Sequence, residues 1–191
     1  PMTFIPAAER FNMMFDLDLW VIGSAFRQLS ELLARHAQDP RIFTINLSGQ
    51  SLDHPDLEHK IRQLEQRYSI DPHRICFEIT ETAAIQNINH VTQVINEIRK
   101  RGSRFALDDF GSGLSSFGYL KNLAVDYVKI DGVFVRKVAQ DSGDFAVVKS
   151  INEIGQFLGK KTIAEYVADD EILRLVRKIG VDYAQGFGIS P

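Results

Sequence analysis

Six short apolar runs, rich in β-branched and aromatic residues, set the first constraint on this chain: residues 42–45, 75–79, 105–107, 127–130, 162–164 and the weaker 181–184. They are near-continuous rather than alternating, so both faces would be buried, as in parallel strands. Between them, apolar residues step by three or four in one-sided stripes: Leu17, Val21, Ala25, Leu29 and Leu32; Leu57, Ile61, Leu64 and Tyr68; Val91, Val94, Ile95 and Ile98. Two more follow at Val147, Ile151, Ile154 and Leu158, and at Ile172, Leu175, Val176 and Ile179. Each stripe predicts a helix laid over a central sheet. Strand and helix alternating through short connections predict an α/β fold with a parallel sheet and right-handed crossovers.

The polar residues choose between an open sheet and a closed one. Every run ends in a polar or ionisable residue: Asn46; Glu78 with Glu81; Asp108 with Asp109; Lys129 with Asp131; Glu165; Gln185. An open doubly wound sheet concentrates its chemistry at one switch point. A (β/α) barrel presents every strand end at a common mouth, so six polar strand ends in succession favour a TIM-like barrel. Six runs leave room for two more strands. The chain opens at Pro1 without a methionine and closes on Ser190-Pro191, and the expectation is a piece of a longer protein with the first strands missing. Residues 1–191 contain no internal repeat or linker and read as one domain.

Composition narrows the classes of partner. The 191 residues are 45% apolar and 25% charged, with a formal net charge of -3, which is enough for a core and predicts no basic surface for a nucleic-acid polymer. Cys76, the single cysteine, lies in an apolar run and reads as a buried thiol of a reducing compartment. No stretch has the length of a membrane span or the pattern of a signal peptide. A cytoplasmic domain is expected, whether or not the parent protein is membrane-anchored. The five histidines, His36, His54, His59, His73 and His90, fall in or beside helices and read as solvated surface.

Glu78, Asp108, Asp109 and Glu165, with the Asn46 amide, supply hard oxygen ligands suited to Mg²⁺ or Mn²⁺ rather than zinc. Two adjacent carboxylates such as Asp108-Asp109 repel one another unless a cation neutralises them. A pair of divalent cations can polarise a phosphoryl oxygen and hold a hydroxide for in-line attack, with Lys129 available to stabilise the developing charge. Taken singly, each acid could be a helix cap or a solvated loop residue, Asp108-Asp109 an acidic turn before Phe110-Gly111-Ser112-Gly113, Lys129 with Asp131 a surface pair, and Asn46 with Ser48 a capping turn. Their occurrence on consecutive strands favours phosphodiester hydrolysis.

The motifs Asn46-Leu47-Ser48, Glu78-Ile79-Thr80-Glu81, Asp108-Asp109-Phe110-Gly111-Ser112-Gly113 with Ser115-Ser116, Lys129-Ile130-Asp131, Ile163-Ala164-Glu165 and Gln185-Gly186 resemble, in order and approximate spacing, those of the EAL domain. Phe4-Ile5-Pro6-Ala7-Ala8-Glu9 resembles the segment after that family's Glu-Ala-Leu motif. The resemblance implies an EAL-type barrel that hydrolyses cyclic-di-GMP to linear pGpG with two Mg²⁺ or Mn²⁺ ions in bacterial signalling. It implies Asn46, Glu78 and Asp108 on one metal, Asp109 on the second, Glu165 as the metal-linked acid that activates water, and Lys129 as the cation beside that water. Glu81 would hold the loop 109–116, which is also the expected homodimer contact. Gln185 would support the cluster and Phe187 border a guanine. Fusion to sensory or GGDEF-type domains is implied for the parent.

Two departures stand out. The Glu-Ala-Leu segment, with one metal-ligating Glu and a substrate-binding Arg, is not in the chain, which predicts weak or no turnover by these residues alone. Ala168 replaces a second Glu, and Tyr166 a common Gly. The competing expectation is a degenerate cyclic-di-GMP receptor or a regulatory dimerisation module.

Overall fold

The structure, a computed structural model, describes residues 4–36, 39–113 and 118–189. In chain order the elements are α1 (Ile5–Arg10), α2 (Met14–Arg35), β1 (Phe43–Asn46), α3 (Gly49–Leu52), α4 (Leu57–Tyr68), β2 (Ile75–Thr80), α5 (Glu81–Gln86), α6 (Ile88–Arg99) and β3 (Arg104–Phe110). There follow β4 (Tyr127–Ile130), α7 (Gly132–Val135), α8 (Ser142–Phe157), β5 (Lys161–Ala164), α9 (Asp170–Ile179) and β6 (Tyr183–Ala184). Each of the six expected runs overlaps a strand, and each of the five stripes overlaps a helix.

The sheet order is β1-β2-β3-β4-β5-β6, and the β1–β2, β3–β4, β4–β5 and β5–β6 pairs are parallel. Strand order follows chain order without the reversal that defines a doubly wound sheet. It is the winding expected of a barrel, in which each crossover advances one strand.

The chain divides into two compact units, Pro1–Ile79 with Gln86–Phe105, and Thr80–Ile85 with Ala106–Pro191. In the first, Ile22, Phe26, Ile61, Phe77, Ile95 and Phe105 are fully buried, and the Phe77 and Phe105 rings meet at 5.6 Å. In the second, Phe110, Val128, Ile130, Val135, Val148 and Ala164 are fully buried. Burying one such aliphatic or aromatic side chain contributes about 1.5–3 kcal/mol, so these clusters hold the strands that carry the polar ends.

Two stripes are displaced from their expected registers. On α2 the buried residues are Met14, Asp18, Ile22, Phe26 and Leu29, whereas Val21 is exposed. Asp18 takes an inward position because its carboxylate accepts from Ser48 N at 2.9 Å and Ser51 Oγ at 2.6 Å, tying the turn after β1 to the helix. On α8 the buried face is Val148, Ile151, Asn152 and Gly155. Thr162 Oγ1 donates to Asn152 Oδ1 at 2.5 Å, and Asn152 Nδ2 donates to the Ile179 carbonyl. A Cβ on Gly155 would lie 2.8 Å from Thr162 Cγ2. Both faces rely on polar or small residues that a hydrophobic stripe cannot register.

The histidines also divide. His36, His59 and His73 are exposed as expected, but His54 lies flat on Phe15 at 3.5 Å and His90 buries an unpaired Nε2. Cys76 is a buried thiol, as expected. Among the described residues no helix is long and apolar enough to cross a membrane.

Candidate functional site

The second unit gathers most of the expected polar residues. Lys129, on β4, is 3% exposed, and its ammonium lies 2.8 Å from Asp108 Oδ1 and 2.7 Å from Glu165 Oε1. An ammonium this deeply buried is costly unless its charge is met by opposite charge and hydrogen bonds. The surface-pair reading of Lys129 with Asp131 therefore fails. Asp131 instead caps α7, its side chain accepting from Val133 N at 2.9 Å.

Asp108 and Asp109 converge through a bulge. From Leu107 to Phe110 β3 advances three residues while its partner β4 advances two, from Val128 to Ile130. The extra residue is accommodated at Asp109, whose φ of 55° is left-handed, and a bulge of this kind re-aims side chains that a regular strand would send to opposite faces. Asp109 N donates to Asp108 Oδ1, and Ser112 Oγ donates to the Asp109 carbonyl. The pair thus lies inside β3 rather than at its end. Asp108, Asp109 and Glu165 each offer a carboxylate oxygen within 4.8 Å of the others.

The electrostatics match that crowding. Partial burial raises Asp109 above the ordinary carboxylate range, reinforced by the charges of Asp108 and Asp131 and opposed by Lys129. Burial likewise raises Glu165, against the hydrogen bond and charge of Lys129 and with the charges of Asp108 and Asp109. One ammonium does not neutralise three carboxylates. The remaining negative charge and the all-oxygen donor set fit a hard divalent cation.

Glu81 is buried at the start of α5. It accepts from Gly111 N at 3.1 Å and from the Tyr119 hydroxyl at 2.6 Å, fixing both flanks of the segment that follows Asp109. Gly111 has a φ of 98°, a conformation that favours glycine, and a Cβ there would also lie 2.8 Å from Ile151 Cδ1. Residues 114–117, including Ser115, Ser116 and part of the expected dimer loop, lie outside the described residues.

Gln185 and Phe187 follow β6. Gln185 N donates to the Ala164 carbonyl and its carbonyl accepts from Val167 N, stitching this turn to the one carrying Glu165. Gly186 lies so close that a Cβ would meet Val167 O at 2.4 Å. A cavity of about 310 Å³ is lined by Glu165, Tyr166, Gln185, Gly186 and Phe187. Tyr166 adopts a φ of 52°, costing of order 1–2 kcal/mol for a residue with a Cβ. Ala168 is exposed on the same turn.

In the first unit, Asn46 at the end of β1 pairs in register with Glu78, which lies two residues inside the end of β2 rather than at it, and Leu47 N donates to the Glu78 carbonyl at 2.8 Å. Glu78 is 8% exposed. Ser48 does cap α3, accepting from Ser51 N, so the capping-turn reading holds for Ser48 beside an Asn46 that remains exposed. Three supporting residues carry no motif-level signal: Asp18 beneath the Asn46 turn, Tyr119 on Glu81, and Arg136, whose guanidinium stacks 3.8 Å from the Tyr166 ring centre.

Sequentially wound parallel strands with carboxylates gathered around a buried ammonium define a barrel-type α/β domain with an acidic, cation-ready centre. The EAL domain model matches residues 1–191. The chain belongs to the EAL domain family. It is 47% identical over 190 residues to the cyclic di-GMP phosphodiesterase PdeB of Shewanella oneidensis, matching 100% of this chain and 22% of that protein. Among solved structures, the PaMucR phosphodiesterase in its c-di-GMP complex superposes with a TM-score of 0.93 at 30% identity, over 100% of this chain and 77% of that one. The Xanthomonas citri FimX EAL domain in complex with c-diGMP gives 0.90 at 26% identity, over 100% and 75%. The EAL-type barrel class is thereby established for these six strands, while the chain spans about a fifth of the length of PdeB.

Proposed function

We propose that this chain forms the greater part of a cyclic-di-GMP phosphodiesterase domain that opens one phosphodiester of the dinucleotide to give linear pGpG. The observation that carries this reading is the buried Lys129 ammonium held between Asp108 and Glu165 beside Asp109. Such an arrangement serves little purpose for folding alone, since a close-packed apolar substitute is commonly as stable.

Asn46, Glu78, Asp108, Asp109 and Glu165 are the proposed ligands of two Mg²⁺ or Mn²⁺ ions. Bound there, the ions supply charge neutralisation at the phosphoryl oxygens and a lowered water pKa. Glu165 takes the proton of the attacking water. Lys129 donates from Nζ toward the same reacting region and offsets the negative charge that grows on phosphorus in the transition state. Glu81 holds the bulged segment in the shape that presents Asp109. Gln185 positions the turn beside Glu165, and Phe187 borders a guanine.

The PdeB match and the c-di-GMP complexes support the substrate. A second reading, a receptor that binds the dinucleotide without turnover, draws on Ala168, which stands where the family usually has a second Glu. Homodimerisation through loop 109–116, fusion to sensory or GGDEF-type domains, and a cytoplasmic setting complete the proposal. The parent protein incubated with cyclic-di-GMP and Mn²⁺ should release pGpG, and Asp108→Ala should abolish it. Metal-independent binding without product would favour the receptor.

A further inference from the structure

Tyr166 is a poor choice for the backbone it occupies. Its φ of 52° is left-handed, a conformation that glycine adopts without strain and tyrosine does not. Its ring also needs clearance: a Cβ on Gly132 would lie 2.1 Å from Tyr166 Cδ2, so any side chain there would displace the ring from this position. Yet the ring is 52% exposed, and core packing does not account for either concession. Strain held at an exposed side chain points to a function outside the fold.

The surroundings indicate what that function is. Tyr166 follows Glu165 directly and lines the same cavity as Glu165, Gln185 and Phe187. Phe187, at 80% exposure, is an equally uncovered aromatic. The Arg136 guanidinium stacks 3.8 Å from the centre of the Tyr166 ring, a contact that holds the ring in one orientation. An exposed, braced aromatic surface beside a carboxylate and an amide suits a flat heteroaromatic base, which stacks on the ring and hydrogen-bonds at its edge.

We propose that Tyr166 is a substrate-binding residue that stacks on one guanine base of the cyclic dinucleotide, and that Arg136 is a positioning residue that holds its ring. The inference rests on the cyclic-di-GMP reading given above. It adds a base contact on the Glu165 side of the cavity, at a position where the family commonly has no side chain, and makes Gly132 and Arg136 parts of that contact.

The test is made on the parent protein, measuring the KM for cyclic-di-GMP turnover with Mn²⁺ and, after chelation has stopped turnover, the Kd for cyclic-di-GMP by calorimetry. Tyr166→Gly, which relieves the backbone, should raise both by roughly tenfold, the scale of one lost base–aromatic stack, while kcat falls far less. Tyr166→Phe should recover most of that affinity, and Arg136→Ala should lose a few-fold. Unchanged KM and Kd in Tyr166→Gly would overturn the inference. So would a loss in Arg136→Ala unaccompanied by one in Tyr166→Gly, because it would assign the contact to a cation on a phosphate. Wild-type protein that binds the dinucleotide without hydrolysing it would sink the phosphodiesterase reading alone, and the Kd series would still decide the role of Tyr166.

Discussion

The two units each contain a cation between two acids, and the two arrangements differ in instructive ways. In the first, Arg101 donates from Nε to Glu65 at 2.9 Å and pairs through Nη1 with Glu58. In the second, Lys129 lies between Asp108 and Glu165. Arginine spreads its charge over a planar fork that two carboxylates can share, whereas lysine presents a compact point charge. The Arg101 group clamps α4 to the segment after α6. Lys129 sits with a third carboxylate, Asp109, whose backbone is bulged and left-handed. An acid triad that its own cation leaves underneutralised is poised for an external one.

Removing each cation should separate the two roles most sharply. Lys129→Ala in the parent protein should lower the rate of pGpG formation by roughly 10²–10³, the scale of losing one preorganised charge-stabilising donor, as read by chromatography of the products. Arg101→Ala should leave turnover within about twofold but destabilise by about 3 kcal/mol, because Glu65 would remain buried and unpaired. Urea unfolding measures that loss. If the two variants behaved alike, the distinction between clamp and catalytic group would collapse.

Next in size is the support beneath Asp109. Glu81→Ala leaves the Tyr119 hydroxyl and Gly111 N without their acceptor, and should cost about 1–3 kcal/mol with a larger proportional fall in kcat. Tyr119→Phe removes one of the two bonds and should cost about 1 kcal/mol. Urea midpoints and initial rates on the same samples would show whether stability and activity part company here.

The pH response should distinguish the triads with a smaller signal. Glu65, Asp109 and Glu165 are all raised, burial being the main cause in each. A raised folded-state value means that the folded protein holds more protons than the unfolded chain above the ordinary carboxylate range. Metal-free protein should therefore lose stability as pH rises from that range through the raised values, and regain it on acidification. Saturating Mn²⁺ should reverse the trend from Asp109 and Glu165, since metal binding requires their ionised forms, and leave that from Glu65 unchanged. Thermal unfolding across a pH series with and without Mn²⁺ would measure it. Smallest of all, Tyr166→Gly should shift stability by no more than about 1 kcal/mol, relieved strain offsetting the lost cation–π contact.

Much of this was legible in the sequence because the period of apolar residues reports burial on both faces of a strand or one face of a helix. The strands at 127–130 and 75–79 were found nearly to the residue for that reason. The failures share a physical cause. Asp18, Asn152 and Gly155 occupy buried faces by hydrogen bonding or small size, which hydrophobicity does not report. Asp108 and Asp109 are expected at a strand end, but they lie inside β3 at a bulge whose position depends on pairing with β4. Arg136 and Tyr119 were invisible because their partners, Tyr166 and Glu81, are distant in sequence and adjacent only after folding.

The Asp108, Asp109, Lys129 and Glu165 cluster is proposed to perform cation-dependent phosphodiester hydrolysis. The most direct test is the rate of pGpG release from cyclic-di-GMP by the parent protein, before and after chelation and after Mn²⁺ is restored. Product should vanish on chelation, return with Mn²⁺ and be absent in Asp108→Ala. Turnover that survives chelation, or tight binding of cyclic-di-GMP with no pGpG under any of these conditions, would contradict it.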